Sequence, residues 1–376
     1  MIIKSEKLKE VSKKILTVLN NTEFSNDEEA LQLKTINNML YLRISNSEYY
    51  ASIKLDIEYP EELNATVNAP LFLKLINQIT TEDVDLSLTE RYLIVKGNGK
   101  YKIPLIFVNE SMRELSEIAI KNVTSSMDIS SDILLNILQY NSKEFNKGFI
   151  YNESQKMYYI DEKGCITYTT GACVNKFDLE KPIKILLSQK IVKLFKLFKN
   201  ENIHFTLGYD ALSNDIIQTK VKFETSDISI TAIIACDDKL LNSVPVNSIR
   251  GLADNILPFN VSISRIDLLN TINRLMLFDP MGDNKSNIKT SMNKLVFSPD
   301  RVTIYDVEGN NNEEIKYSEI PEGKSVDYEC LVNLDDVKIT LESFNDPYIY
   351  LSFGEGRALI ISRNNIKNII ALGVES

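Results

Sequence analysis

The chain contains no tryptophan, one histidine (His204) and four cysteines (Cys165, Cys173, Cys236, Cys330) among its 376 residues. No two cysteines share a Cys-x-x-Cys spacing, which speaks against zinc-ribbon and thioredoxin-type sites; thiols scattered in this way fit a reducing compartment. A lone imidazole leaves little room for histidine-based nucleophilic or general-base chemistry. His204 itself lies in the alternating stretch Ile203-His204-Phe205-Thr206-Leu207, where it decorates a strand. The 10 prolines and 13 glycines are too few for a fibrous or low-complexity chain. No run reaches the ~18 apolar residues of a membrane span. Lys96-Gly97-Asn98-Gly99-Lys100 reads as a hairpin turn and not a phosphate-cradling loop, and Gly354-Glu355-Gly356 falls between strand patterns. Asp279, Asp283, Glu313 and Glu314 read as solvated residues of polar loops without metal-ligand spacing. The expectation is a protein that is not an enzyme, with no cofactor and no metal.

What remains is a globular chain, 44% apolar and long enough for two or three domains. Its 42 basic against 52 acidic residues give a formal charge of −10. A surface that acidic does not grip nucleic acid as a whole, although a local basic stripe still can. Met1 to Asn20 reads as a Lys-rich amphipathic helix and not a secretory signal, so a cytoplasmic location without membrane association is expected.

Along the chain, one helix signal, several strand signals and a second helix signal alternate three times. Helices are predicted from Ser5 to Asn20, with Leu8, Val11, Ile15, Val18 and Leu19 on one face, and from Asn68 through Ile79, with Asn68 as N-cap and Pro70 in the first turn. Further helices are predicted over 130–147, 188–200, 264–278 and 333–344. Strand patterns fill the gaps, as in Met39–Ile44, Tyr50–Ile57, Val84–Leu88, Tyr92–Val95, Phe149–Tyr151, Ile166–Tyr168, Val221–Ile234, Lys294–Tyr305 and Tyr348–Phe353. The repeated order predicts three domains of one α+β fold, over 1–123, 124–250 and 251–376.

Charge is segregated. The six helical segments sum to +6, which leaves −16 for everything else. The sharpest stretch is Lys190, Lys193, Lys196 and Lys199, with no acid between them and Ile191, Leu194, Phe195 and Phe198 as its apolar set. Lys9 and Lys13 of the first helix, Lys74 of the second and Arg274 of the fifth complete a candidate DNA-facing set. Glu6 and Glu10 share the side of Lys9 and Lys13, and the last helix carries Asp335, Asp336 and Glu342. The stripe is uneven, which predicts weak, salt-sensitive, non-specific contact. An ordinary solvated helix face stays open as the alternative.

Several stretches together resemble the bacterial DNA polymerase sliding clamp, the beta subunit of the replicative polymerase III, over nearly the whole chain. Asn38–Ile44 is similar to the family's first strand after the opening helix, and Ala69–Ile76 to its second helix. Tyr168-Thr169-Thr170-Gly171-Ala172-Cys173-Val174 stands where the family has Ala-Thr-Asp-Gly-His-Arg-Leu. Ile185–Phe198 resembles the basic helix that follows, Leu331–Val337 a Phe-Asn-x-x-Tyr-Leu position, and Ile369–Leu372 the closing strand. The resemblance implies three similar domains per chain with inner helices and outer antiparallel sheets. It further implies a head-to-tail homodimer closing a ring around double-stranded DNA, with the replicative polymerase and a clamp loader as partners.

It also implies a partner-peptide groove lined by Thr169, Gly171, Ala172 and Val174, by Pro245 and Ile249, and by Ile370 and Leu372. The sequence departs from the family at that groove. Asp-Gly-His-Arg is replaced by Thr170-Gly171-Ala172-Cys173, and the usual Met-Pro near the C-terminus by Ala371-Leu372-Gly373. The loop at 21–29, where the family places a DNA-holding arginine, is acidic. A non-standard partner peptide is expected. Two other readings stay open: a clamp-like interaction platform that does not encircle DNA, and a hydrolase with a site assembled from loops.

Overall fold

The computed structural model describes residues 1–19, 29–148, 150–211, 217–278, 292–319, 326–354 and 358–373. The acidic loop apart from Glu29, together with Phe149, Asp279, Asp283, Glu355 and Gly356, lies outside the described residues. The helices are α1 (Ser5–Leu19), α2 (Ala69–Gln78), α3 (Ser131–Tyr140), α4 (Gln189–Lys193), α5 (Asp238–Ser243), α6 (Val246–Asp254), α7 (Arg265–Leu275) and α8 (Leu334–Ser343). The chain divides into two compact units, one of Met1–Leu135 with Lys190–Ala235, the other of Asn136–Gln189 with Cys236–Ser376. The middle third of the sequence contributes to both.

The first unit holds an eight-stranded antiparallel sheet in the spatial order 122–130, 202–211, 217–224, 228–234, 49–56, 39–45, 30–36, 64–68. A four-stranded sheet orders 2–4, 83–88, 92–96 and 100–104. The seam of the large sheet is the antiparallel pairing of Ile228–Ala232 with Tyr49–Ile53, which joins strands far apart in sequence. Leu8, Val11, Ile15, Val18 and Leu19 of α1 are buried at the predicted helical spacing. The Leu71 N–H donates to the Asn68 side chain at 2.9 Å, Pro70 occupies the first turn, and Ile79 is the C-cap of α2. The predicted hairpin closes at Asn98, whose side chain also accepts from the Thr80 N–H at 2.7 Å.

The second unit repeats the plan. Its eight-stranded sheet runs 184–188, 157–161, 164–168, 172–176, 366–371, 358–363, 348–353, 259–264, and its four-stranded sheet 312–316, 301–305, 293–297, 328–332. The seam here pairs Ala172–Asn175 with Ile366–Ile369. Ser264 and Asn333, where two of the predicted helices begin, cap α7 and α8, accepting from the N–H groups of Asp267 and Asp336. The core between sheets and helices includes Phe297 stacked on Phe353, ring centroids 3.8 Å apart.

Four expectations are corrected. The helix predicted over 188–200 is a strand to Ser188, then α4, then a 3-10 turn at Leu194–Leu197. Ile191, Val192, Leu194, Phe195, Leu197 and Phe198 are all buried, an arc too wide for one face of a straight α-helix. The helix predicted over 130–147 becomes 3-10 at Asn141–Asn146, and this threefold period aligns Asn141, Glu144 and Lys147 on one buried face. Ile150 and Tyr151 form no strand; the Tyr151 and Asn152 N–H groups both donate to Gln155 Oε1 in a tight capped turn. Glu313 and Glu314 lie on the strand 312–316 and not in a loop.

Truncating a stacked ring in a close-packed core removes both transfer energy and contacts. Phe297→Ala is expected to lower the stability of the second unit by about 3–5 kcal/mol, read in urea unfolding. A loss below about 1 kcal/mol would mean that the stacked pair carries no packing role.

Candidate functional site

α1 packs beside the 3-10 turn that follows α4, and between them lies an open cleft of about 490 Å³. Lys13, Lys14 and Thr17 from α1, Lys196 and Leu197 from the turn and Lys199 just after it line the cleft, together with Glu10 and Glu201. The apolar sides of both elements are buried, so the lysines are left on the water side. Lys14 is held by Glu10 at 3.2 Å, whereas Lys13, Lys196 and Lys199 have no ion-pair partner among the described residues. Three of the predicted DNA-facing lysines, widely separated in sequence, are thereby brought to one place. Such exposed ammonium groups attract phosphate weakly and in a salt-dependent way, without reading sequence.

The other candidates divide. Lys74 and Lys193 are exposed and Lys9 half-buried; none of the three lines this cleft. Lys190 pairs with Glu48 at 3.0 Å. Arg274 donates to both carboxylate oxygens of Glu313, at 2.8 and 2.6 Å, and to Thr271. Its charge is already matched by the neighbouring strand. Lys14 was missed because its helix periodicity gives no sign of the facing turn.

His204 stands between Asp128 Oδ1 and Ser126 Oγ, each 2.8 Å from a ring nitrogen. This is the bonding order of a Ser-His-Asp array, but the His204 and Asp128 side chains are 51% and 75% exposed. In water such a pair is a weak surface interaction and lacks the buried setting of a catalytic base. Among the described residues no group of three or more His, Cys, Asp or Glu side chains is placed to hold a metal ion. Among them too, no helix is long and apolar enough to cross a membrane.

The predicted groove residues sit in the second unit, on two faces of one sheet. Ala172, Val174 and Ile249 join an apolar cluster with Tyr159, Ile166 and Ile369. Ile370 and Leu372 belong to the opposite layer, with Cys173, α7 and α8. The strand alternates sides, so Ile369, directly opposite Ala172, shares the face of Ala172 and Val174, and Ile370 does not. Pro245 is exposed between α5 and α6. Gly171 is required where it stands, because a Cβ there would overlap the Ile369 carbonyl.

Thr169 is buried, and its hydroxyl donates to Glu144 Oε1 at 2.8 Å. Lys147 Nζ donates to the other oxygen of Glu144 at 2.9 Å, and both side chains are fully withdrawn from water. Burial pushes the Glu144 carboxyl up, opposed by the Lys147 ammonium and the Thr169 hydroxyl. Asp336 is likewise raised by burial, with Lys147 again opposing. The pair therefore buttresses the 169–171 turn from behind. On the other side, Arg250 of α6 donates to Asp161 at 2.8 and 2.6 Å. Burial disfavours the ionised Asp161, but the guanidinium and the Lys163 N–H outweigh it and hold the carboxyl below its usual range.

No family model and no curated protein matches the chain. Among solved structures, the Helicobacter pylori beta clamp in complex with 3,4-difluorobenzamide is similar at TM-score 0.76 and 14% identity, covering 100% of both chains. The DNA polymerase III subunit beta of Pseudomonas aeruginosa is similar at TM-score 0.77 and 13% identity, over 100% of this chain and 99% of that one. The Bacillus subtilis DNA polymerase sliding clamp gives 0.76 and 13%, with the same coverage. The chain has the α+β fold of the DNA polymerase III beta-subunit sliding clamps, at a sequence distance that makes it a divergent example of that fold.

A buried ion pair that loses one partner leaves an uncompensated charge. Lys147→Met is expected to cost about 3–5 kcal/mol in urea unfolding, and most of that loss is recovered when Glu144→Gln is added. Equal instability of the single and double variants would contradict the buttress.

Proposed function

We propose that the chain is a DNA sliding clamp, a non-catalytic processivity factor that works in the cytoplasm. Two copies close head to tail into a ring of six clamp-type domains, from 1–123, 124–250 and 251–376 of each chain. The ring encircles double-stranded DNA without reading sequence, is placed there by a clamp loader, and tethers the replicative polymerase by raising its effective concentration. The observation that carries this reading is the clamp fold over the full length combined with the lysine cleft of Lys13, Lys196 and Lys199 on an otherwise acidic protein.

A heterologous ring contact needs two different surfaces that fit each other. The edge strand 100–104 carries exposed Lys100, Tyr101 and Lys102, with exposed Phe107 and Val108 nearby in sequence. The edge strand 312–316 carries Glu313 and Glu314, and Leu277 and Phe278 just after α7 are exposed as well. The first edge is basic, on the second Glu313 and Glu314 are already paired with Arg274 and Arg301, and each unit has exposed apolar side chains for a partner copy to cover. The non-encircling platform reading draws on a specific observation too: Lys190 and Arg274 are neutralised and α8 is acidic, so the basic surface is local.

Light scattering across a dilution series is expected to give a mass near twice the chain's 42.8 kDa. On a short DNA duplex, replacing Lys13, Lys196 and Lys199 together by Ala is expected to reduce the salt slope of binding by about 1 for each lysine that meets phosphate. A monomer at every concentration, with a salt slope that the three substitutions leave unchanged, would favour the platform.

A further inference from the structure

The apolar strip on the second unit's large sheet is covered by a helix poorly equipped to hold itself together. α6 buries two of its nine residues, Ile249 and Ala253, and these seat on Ala172, Val174 and Ile369. Pro245, at its N-cap, offers no side-chain cap; no acidic residue occupies the first turn and no basic residue the last. Neither end of the helix dipole is therefore compensated by its own side chains. Gly251 sits inside the helix with nothing within 4 Å of where a Cβ would stand, so no packing demand explains the poorest helix former short of proline. A helix this short is not stable by itself in water.

Three polar fastenings keep it seated. Arg250 grips Asp161 through two hydrogen bonds, Asp254 pairs with Lys176, and Lys367 Nζ donates to the Ala253 carbonyl at 2.7 Å. The Lys176 ammonium holds the Asp254 carboxyl below its usual range, with Lys367 adding to it. Meanwhile Leu252 and Ile256, at the end of the helix and just beyond, are 49% and 94% exposed. The segment thus spends apolar side chains on water while covering a surface that is itself apolar.

We propose that α6 is a lid over a partner-binding strip, and that it occupies the strip in place of a partner segment of like chemistry. That segment presents apolar side chains one helical turn apart, followed by a carboxylate that pairs with Lys176 and Lys367. With α6 lifted, Ala172, Val174 and Ile369 form the exposed floor, and the two cations stand together at its Lys176 end. The apparent affinity for such a partner is set by the fraction of chains in which the lid is open. This inference rests on the reading of this face as a partner groove.

The test uses the full-length chain, its Arg250→Ala and Gly251→Ala variants, and a fluorescein-labelled peptide of residues 245–257 as the probe in anisotropy titrations. Arg250→Ala frees the lid and is expected to bind the peptide about tenfold more tightly than the wild type. Gly251→Ala stiffens the lid in open space and is expected to bind it more weakly than the wild type. An otherwise identical peptide with Ala at the position of Asp254 is expected to lose affinity. In hydrogen exchange, the amides of 247–254 are expected to exchange faster than those of 172–176 and 366–371, faster still in Arg250→Ala and slower in Gly251→Ala. Equal peptide affinity in all three chains, or α6 amides as protected as the strands, would overturn the lid. Solution mass and DNA binding are read on the same samples: their failure with the peptide order intact removes the clamp reading alone, and the opposite result removes the lid alone.

Discussion

Everything in this molecule hangs on two antiparallel seams between strands remote in sequence, Tyr49–Ile53 with Ile228–Ala232 and Ala172–Asn175 with Ile366–Ile369. Each seam turns two four-stranded halves into one eight-stranded sheet and so fixes which elements lie side by side. Closing such long loops costs conformational entropy that local contacts do not return, so the paired strands must bury apolar surface on both faces. The second seam does this with Ala172, Val174 and Ile369 on one face and Cys173 and Ile370 on the other. Because both faces are apolar, alternation alone leaves the register under-determined. The tight approach of Gly171 to the Ile369 carbonyl and the bond from the Lys176 N–H to the Asn365 carbonyl pin it at either end.

Electrostatics then act locally on this frame. In the first unit, Lys13, Lys196 and Lys199 stand around one cleft with no ion-pair partner among the described residues, on a chain with a formal charge of −10. Unmatched surface lysines suit transient contact with a phosphate backbone, because screened, solvated charges bind without locking. In the second unit the charges do the opposite. Glu144 with Lys147, and Asp161 with Arg250, are paired and largely withdrawn from water, and they fix a turn and a helix. One set of charges faces open water, the other holds the walls of the apolar strip.

Helices announced by caps and periodicity were legible in the sequence. α1, α2, α7 and α8 begin where Ser5, Asn68, Ser264 and Asn333 placed them. The stretch from 189 to 197 was not, since burial on nearly every side erases a helical face and the chain tightens instead. The lysine cleft was legible as residues but not as a place: nothing local shows that Lys13 and Lys196 line one cleft, or that Glu48 takes Lys190. The apolar strip was half legible as a cluster. Ala172, Val174 and Ile249 share one face of the sheet, while Ile370 lies one residue out of phase with Ile369 on the other, and strand phase is set by the seam. The grip of Arg250 on Asp161 spans 89 positions and leaves no trace in local composition.

The central claim is topological, so the most direct measurement is retention on DNA of different topology. The protein would be loaded onto nicked circular plasmid with a clamp loader, separated from free protein by gel filtration in high salt, and divided before half is linearised. The account predicts that the protein stays with the circles and is lost from the linear molecules by sliding off their ends. Equal loss from both forms, or equal retention on both, would contradict encirclement.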